Sequence, residues 1–161
     1  DVVVLLDSLD HLTKAYHYGT DNMGRSLPGR LDVGALTMAK RFMGAARNTR
    51  EAGSITIAAT LYTDGSRAGD MIMEEFRQTG NCEIVLSRQL AARRIYPAID
   101  LSRSGTRKAE LLLTETELSA VRKLSDKIAA GDLMSILTLM NKTKDNTEFA
   151  AKCDEAFSSE K

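Results

Sequence analysis

Two cysteines and two prolines in 161 residues exclude a disulfide-stapled or collagen-like scaffold. Cys82 and Cys153 are too far apart for a metal-ligand signature and read as two buried, reduced thiols, which places the chain in a reducing, cytoplasmic setting. Charge of either sign is not in excess: 22 basic side chains face 22 acidic ones, so a basic domain coating a phosphate backbone is excluded and any nucleic-acid contact has to be local. The longest uninterrupted apolar run, Val2–Leu6, is far below the roughly 20 residues that cross a bilayer. Neither a charged-then-apolar signal segment ahead of it nor a membrane partner is expected. His11 and His17 lack metal-ligand spacing and are assigned no chemistry. The phosphate-cradling pattern G-x-x-x-x-G-K-[ST] is absent from all 161 residues.

What is present describes a soluble globular protein of about one domain, 43% hydrophobic and 27% charged. The balanced charge conceals an asymmetry. Residues 1–108 carry 15 basic against 12 acidic side chains, and residues 109–161 carry 7 against 10. Anionic ligands are therefore expected on the first part.

The chain opens with Asp1 and runs into Val2-Val3-Val4-Leu5-Leu6, a β-branched run of the type that forms a fully buried parallel strand. Such a strand needs neighbours, so the chain reads as a piece of a larger domain. Leu9, Leu12, Ala15 and Tyr16 then recur at helical spacing, and strand followed by helix is the α/β signature. Residues 19–32 hold three Gly, one Pro and two Arg without periodicity and read as a functional loop. A helix is expected over 33–46, a buried strand over 54–60, a glycine-bearing loop over 64–69 and a helix over 70–77. Residues 82–86 and 95–99 read as further strands, the second placed by Pro97 at an edge or a strand end. From Thr114 the period changes: Thr114 and Glu117 form a capping box, and Leu118, Val121, Leu124 and Ile128 form one helical stripe. Two shorter helices follow, around Leu133–Met140 and Phe149–Phe157.

Four features carry candidate chemistry. Asp7 ends the first apolar strand, at the rim where open α/β sheets bind ligands; it is either a helix cap or a carboxylate holding Mg²⁺ through water. The stretch from Arg88 to Lys108 contains six basic residues and one acid, Asp100. Its end, Ser102–Lys108, has the composition of a phosphate-facing loop or of a solvated turn. Tyr96 is either core filler or a stacking surface for a base. The loop cations Arg25, Arg30 and Arg67 are either surface charge or contacts to a nucleic-acid backbone.

The succession Val4-Leu5-Leu6-Asp7-Ser8, Lys40-Arg41-Phe42-Met43-Gly44-Ala45-Ala46-Arg47-Asn48, Gly53-Ser54-Ile55-Thr56-Ile57, Glu74-Glu75-Phe76, Thr79-Gly80-Asn81, Tyr96-Pro97-Ala98-Ile99-Asp100 and Arg103-Ser104-Gly105-Thr106-Arg107-Lys108 closely resembles the C-terminal part of the bacterial transcription termination factor Rho family. The resemblance is collinear over nearly the whole chain, down to Thr143-Lys144 and Glu148-Phe149. It implies a RecA-type ATPase fold from a homohexameric ring that hydrolyses ATP with Mg²⁺, pulls on RNA and dislodges the RNA polymerase transcription complex. By that resemblance Asp7 matches the Walker B aspartate and Arg107 the arginine finger that reaches the nucleotide of a neighbouring subunit. Tyr96 stands where the family places an aromatic ring against adenine, with Arg94 assigned to the nucleotide as well. Loop 19–32 matches one RNA-binding channel loop, with Gly24 and Arg25 at its contact positions. Loop 64–69 matches the other, with Ser66 and Arg67.

The sequence departs from the family in both loops. Met23-Gly24-Arg25-Ser26-Leu27-Pro28-Gly29-Arg30 carries arginine for lysine, is stiffened by Pro28 and has Arg30 in place of a glycine; Asp64-Gly65-Ser66-Arg67 is one residue shorter than usual. Arginine for lysine changes a point charge into a planar fork. Ala39 replaces the proline that usually precedes Lys-Arg-Phe. The expectation is an α/β, partial RecA-like P-loop NTPase fold, with a sheet-and-helix core over 1–112 and C-terminal helices over 113–161. The chain would be part of an ATP-dependent RNA translocase and inactive by itself without a P-loop. The alternative is a non-catalytic Rho-like remnant that binds RNA or docks on a ring.

Overall fold

The computed structural model describes residues 1–19, 33–63, 65, 67–77 and 79–157. The chain divides into two compact units, Asp1–Asn81 and Cys82–Lys161.

In the first unit, β1 (Val2–Leu6) leads into α1 (Leu9–Gly19); α2 (Val33–Met43), β2 (Arg47–Asn48), β3 (Ser54–Ala59) and α3 (Arg67–Arg77) follow. β1 and β3 pair in parallel, Val2 opposite Ile55 through Leu6 opposite Ala59, and β2 adds to the far edge of β3 antiparallel. The in-register parallel pair brings the carboxyl ends of both strands to one rim. Leu9, Leu36, Ala39, Ile72 and Phe76 form the core where α1, α2 and α3 meet, backed by Leu6, Tyr16, Met43, Ala59 and Leu61. Burying each large side chain of this set removes enough apolar surface to contribute about 1.5–3 kcal/mol. At the opposite end, Asp1 Oδ1 accepts the Ser54 N–H at 2.7 Å and the Ser54 hydroxyl at 2.8 Å. Gly53 fits there because a Cβ would lie 2.9 Å from Asp1 N and Oδ1, and its φ is +26°.

The first unit corrects three expectations. β1 is parallel but not buried: Val2, Val3 and Leu5 are exposed, because β3 is its one strand partner among the described residues. On α1 the buried positions are Leu9, Asp10 and Thr13, while Ala15 is exposed. Thr13 tolerates full burial by donating its hydroxyl to the Leu9 carbonyl at 2.7 Å. The strand expected to be buried over 54–60 is β3, Ser54–Ala59, and Ile55, Thr56 and Ala58 are exposed on it; among the described residues its far edge is covered only by the two-residue β2, too short to carry a periodic signal.

In the second unit, β4 (Cys82–Glu83) pairs antiparallel with β5 (Gly105–Thr106), and α4 (Arg88–Ala92) lies between them in sequence. A 3₁₀ turn at Ala109–Leu111 precedes α5 (Glu115–Ala129), α6 (Leu133–Asn141) and α7 (Asn146–Phe157). α5 starts in the expected capping box, with Glu117 N–H donating to Thr114 Oγ1 and the Thr114 N–H donating to the Glu117 carboxylate at 2.8 Å. Ala120, Ala150 and Cys153 form the helical core, with Leu124, Leu139, Phe149 and Phe157 packed against it.

Here too the sequence reading needs correction. The expected strand over 95–99 reduces to a single antiparallel bridge between Leu86 and Ile99, and the strand over 82–86 shortens to two residues. The cause is α4, whose N-cap Ser87 accepts the Leu90 N–H and turns the chain away after Leu86. Of the two thiols Cys153 is buried but Cys82 is exposed, on the short β4, with the Thr106 hydroxyl 3.4 Å from its sulfur. Val121 faces outward, and Ala120 takes the buried position on α5.

Candidate functional site

Asp7 follows β1 directly and is exposed at the carboxyl rim. Thr60, the residue after β3, donates its hydroxyl to Asp7 Oδ1 at 2.5 Å, and its N–H donates to the Leu6 carbonyl at 3.0 Å. The Thr60 carbonyl accepts the Leu9 N–H at 2.9 Å, so this one residue beyond β3 ties both sides of the β1–α1 turn. The second oxygen of Asp7 has no hydrogen-bond partner among the described residues. A Mg²⁺ ion keeps most of its waters and needs few carboxylates, so an oriented carboxylate with one open oxygen fits water-mediated Mg²⁺. Among the described residues no group of three or more His, Cys, Asp or Glu could enclose a metal.

Three residues further on, the α1 N-terminus holds a buried carboxylate. Asp10 accepts the Ser8 hydroxyl and, at 3.3 Å, the Tyr62 N–H. Lys14 Nζ lies 3.7 Å from Oδ2 and His11 Nε2 3.9 Å. Burial pushes the Asp10 carboxyl up, but the bonds from Ser8, from Tyr62 and from its own N–H, with His11 nearby, together hold it below the usual carboxylate range. Asp10, His11, Lys14, Tyr62 and Gly69 line a shallow hollow of about 350 Å³.

In the second unit Asp100 organises the loop that carries Arg107. Its Oδ1 accepts the Ser102 hydroxyl at 2.6 Å, the Ser102 N–H at 3.1 Å and the Arg103 N–H at 3.3 Å. The hydrogen bond from the Ser102 hydroxyl, with those from the two backbone N–H groups, holds its carboxyl below the usual range. Ser104 donates its hydroxyl to the Asp100 carbonyl at 2.7 Å and accepts the Val85 N–H at 2.9 Å. Asp100 N–H in turn donates to the Val85 carbonyl at 2.8 Å. The loop base is thus pinned to the 82–87 segment immediately before β5, and Arg107 follows β5 with its side chain exposed. Asp100→Ala is expected to speed amide exchange at Ser102 and Arg103 by about tenfold, the loss of one hydrogen bond to a charged acceptor. Hydrogen-exchange mass spectrometry of peptides covering 100–108 checks this.

Tyr96 is 68% exposed, which excludes core filler and leaves its ring face available. It follows a helix end closed in the Schellman manner, with the Ile95 N–H on the Leu90 carbonyl at 3.0 Å and the Arg94 N–H on Ala91 at 2.9 Å. Arg94 takes the left-handed position of that motif, φ 57°, where glycine is usual, and its side chain is exposed. Gly24, Arg25, Arg30 and Ser66 lie outside the described residues. Arg67 is the first residue of α3. Asp7 therefore belongs to the first unit, and Arg94, Tyr96 and Arg107 to the second. Thr60, Asp10 and Asp100 were not anticipated as site residues. Only Asp100 had a local signal, an Asp two residues before a Ser, which is the pattern of an Asx turn.

An oriented carboxylate at the carboxyl rim of a parallel strand pair stands where open α/β sheets bind ligands, and residues 1–106 match the ATP synthase alpha/beta family, nucleotide-binding domain. The chain belongs to that family. Within it, the chain is similar to transcription termination factor Rho of Thermotoga maritima, 50% identical over 159 residues that make up 96% of this chain and 37% of the relative. Rho of Haemophilus influenzae is 48% identical over 156 residues, 92% of this chain and 37% of the relative. Rho of Mycobacterium leprae is 47% identical over 154 residues, 92% of this chain and 25% of the relative. The chain thus spans well under half the length of these relatives. A solved prototypical ATPase from the type III secretion system of pathogenic bacteria superposes with a TM-score of 0.76 over 96% of this chain and 53% of that one, at 19% identity. The fold is the α/β, partial RecA-like P-loop NTPase fold implied by the sequence, and the resemblance to Rho holds over nearly the whole chain. No helix among the described residues is long and apolar enough to cross a membrane.

Proposed function

We propose that these residues are the C-terminal portion of a Rho-type, ATP-dependent RNA translocase that terminates transcription. The observation that carries this reading is that one chain holds both an oriented rim carboxylate, Asp7 on Thr60 in the first unit, and an exposed arginine, Arg107, on a loop pinned by Asp100 in the second. Bound ATP with Mg²⁺ would supply the phosphoryl group and its metal. Asp7 would hold the metal through water, and Tyr96 and Arg94 would take the nucleotide's base side. Arg107 meets the charge developing on the phosphoryl group of a neighbouring subunit, a task that needs a rigid loop rather than a flexible one. Residues 1–112 carry this chemistry in a homohexamer in the cytoplasm, with RNA and the RNA polymerase complex as partners and the helices of 113–161 closing the domain.

Arg25 and Arg67, with Gly24 and Ser66, grip the RNA backbone, where phosphate contacts give hold without sequence preference. In the full-length protein, Arg67→Ala is expected to uncouple RNA from hydrolysis, so that turnover no longer rises with RNA while nucleotide affinity is retained. RNA titrations of ATP turnover check this, and unchanged stimulation contradicts the assignment of loop 64–69. The DNA upstream of the Asp1 codon tests the reading more cheaply. An in-frame G-x-x-x-x-G-K-[ST] supports the motor, and an in-frame stop codon supports a non-catalytic remnant that binds RNA or docks on a ring.

A further inference from the structure

Asp10 has a position that the functional reading leaves unused. It is 4% exposed and Ser8 1%, so both are buried at the head of α1. A buried carboxylate is costly unless its acceptors are filled. Asp10 Oδ1 accepts the Ser8 hydroxyl, one residue from Asp7, and the Tyr62 N–H, two residues beyond Thr60, while Lys14 and His11 lie 3.7 Å and 3.9 Å from Oδ2. Thr60 is itself bonded to Asp7, Leu6 and Leu9. Segment Thr60–Tyr62, which leads from β3 toward α3, is therefore fastened to Leu6–Asp10 at both ends. The Thr60 contacts alone would leave Tyr62 free to swing, and the Asp10 carboxylate converts one attachment into two. An ordinary acidic residue in the first helical turn serves its own helix; this one reaches 52 residues along the chain.

We propose that Asp10 is a positioning residue that couples the segment entering α3 to the Asp7 carboxylate. Displacement of Tyr62 moves Asp10 and Ser8, and through them the turn that carries Asp7. The inference rests on the functional reading above, in which Asp7 serves the nucleotide's metal and the 64–69 loop contacts RNA.

The test uses the full-length protein with Asp10→Ala and Asp10→Asn, two readouts being taken on each. The first is amide exchange at Tyr62, expected to accelerate about tenfold in Asp10→Ala, the fold-change for one lost hydrogen bond to a charged acceptor. The second is the ratio of RNA-stimulated to unstimulated ATP turnover, expected to fall by a similar factor. Asp10→Asn keeps an acceptor for both donors and shifts both readouts the same way by less, which decides the matter if Asp10→Ala does not fold. Unchanged Tyr62 exchange overturns the clamp. Faster exchange with stimulated and unstimulated turnover lowered in equal proportion overturns the coupling and leaves a residue that serves only the head of its own helix. A wild-type protein whose turnover ignores RNA refutes the functional reading and the coupling with it, while the exchange data still report separately on the Tyr62 contact.

Discussion

Arg107→Ala in the full-length protein is expected to lower ATP turnover by about 10³ or more while RNA binding stays within a few-fold. The size follows from what a guanidinium does at a phosphoryl-transfer site, where it neutralises charge that exists only in the transition state. Arg107→Lys should not rescue it, because an ammonium offers a point charge in place of a planar fork. The loop favours this role over a solvated turn: Asp100, Ser102 and Ser104 pin its base, and β5 pairs with β4 directly before Arg107. Turnover measured beside RNA binding separates the loss from misfolding. Parallel loss of both would point to a structural role.

The second large effect is expected at Asp7. Asp7→Asn keeps an acceptor for the Thr60 hydroxyl, so the rim retains its shape, but it removes the charge that would hold the metal's waters. Turnover should fall by about 10²–10³, the cost of removing one well-placed electrostatic group. More Mg²⁺ should be needed for half-maximal rate, with the unfolding temperature nearly unchanged. A Mg²⁺ titration of turnover on both proteins checks this. If Arg107 acts across a subunit boundary, rings mixed from Asp7→Asn and Arg107→Ala subunits regain turnover, since some interfaces then pair an intact Asp7 with an intact Arg107.

The elements written in local chemistry were legible from the sequence. The capping box at Thr114 and Glu117 fixed the start of α5, and the β-branched run Val2–Leu6 made a parallel strand. What failed depended on neighbours. Burial of β1 needs further partners along its edge and faces, and the apolar run alone could not tell that Val3 and Leu5 stay exposed. The apolar run 95–99 became a bridge because Ser87 capped α4 and the Asp100 turn bent the chain. Asp7 and Arg107 stood out as motif residues, since an acid after an apolar run and a cation among Ser, Gly and Thr are visible in a short window. Thr60 and Asp10 did not, because each acts through a partner more than 50 residues away. A hydroxyl or carboxylate that works at that range leaves no periodic trace.

The central claim is that Asp7 and Arg107 belong to an RNA-driven ATPase, and the most direct measurement is ATP turnover by the full-length protein with and without RNA. The account predicts turnover that rises on adding RNA and disappears in Arg107→Ala. Turnover indifferent to RNA, or retained in Arg107→Ala, would contradict it.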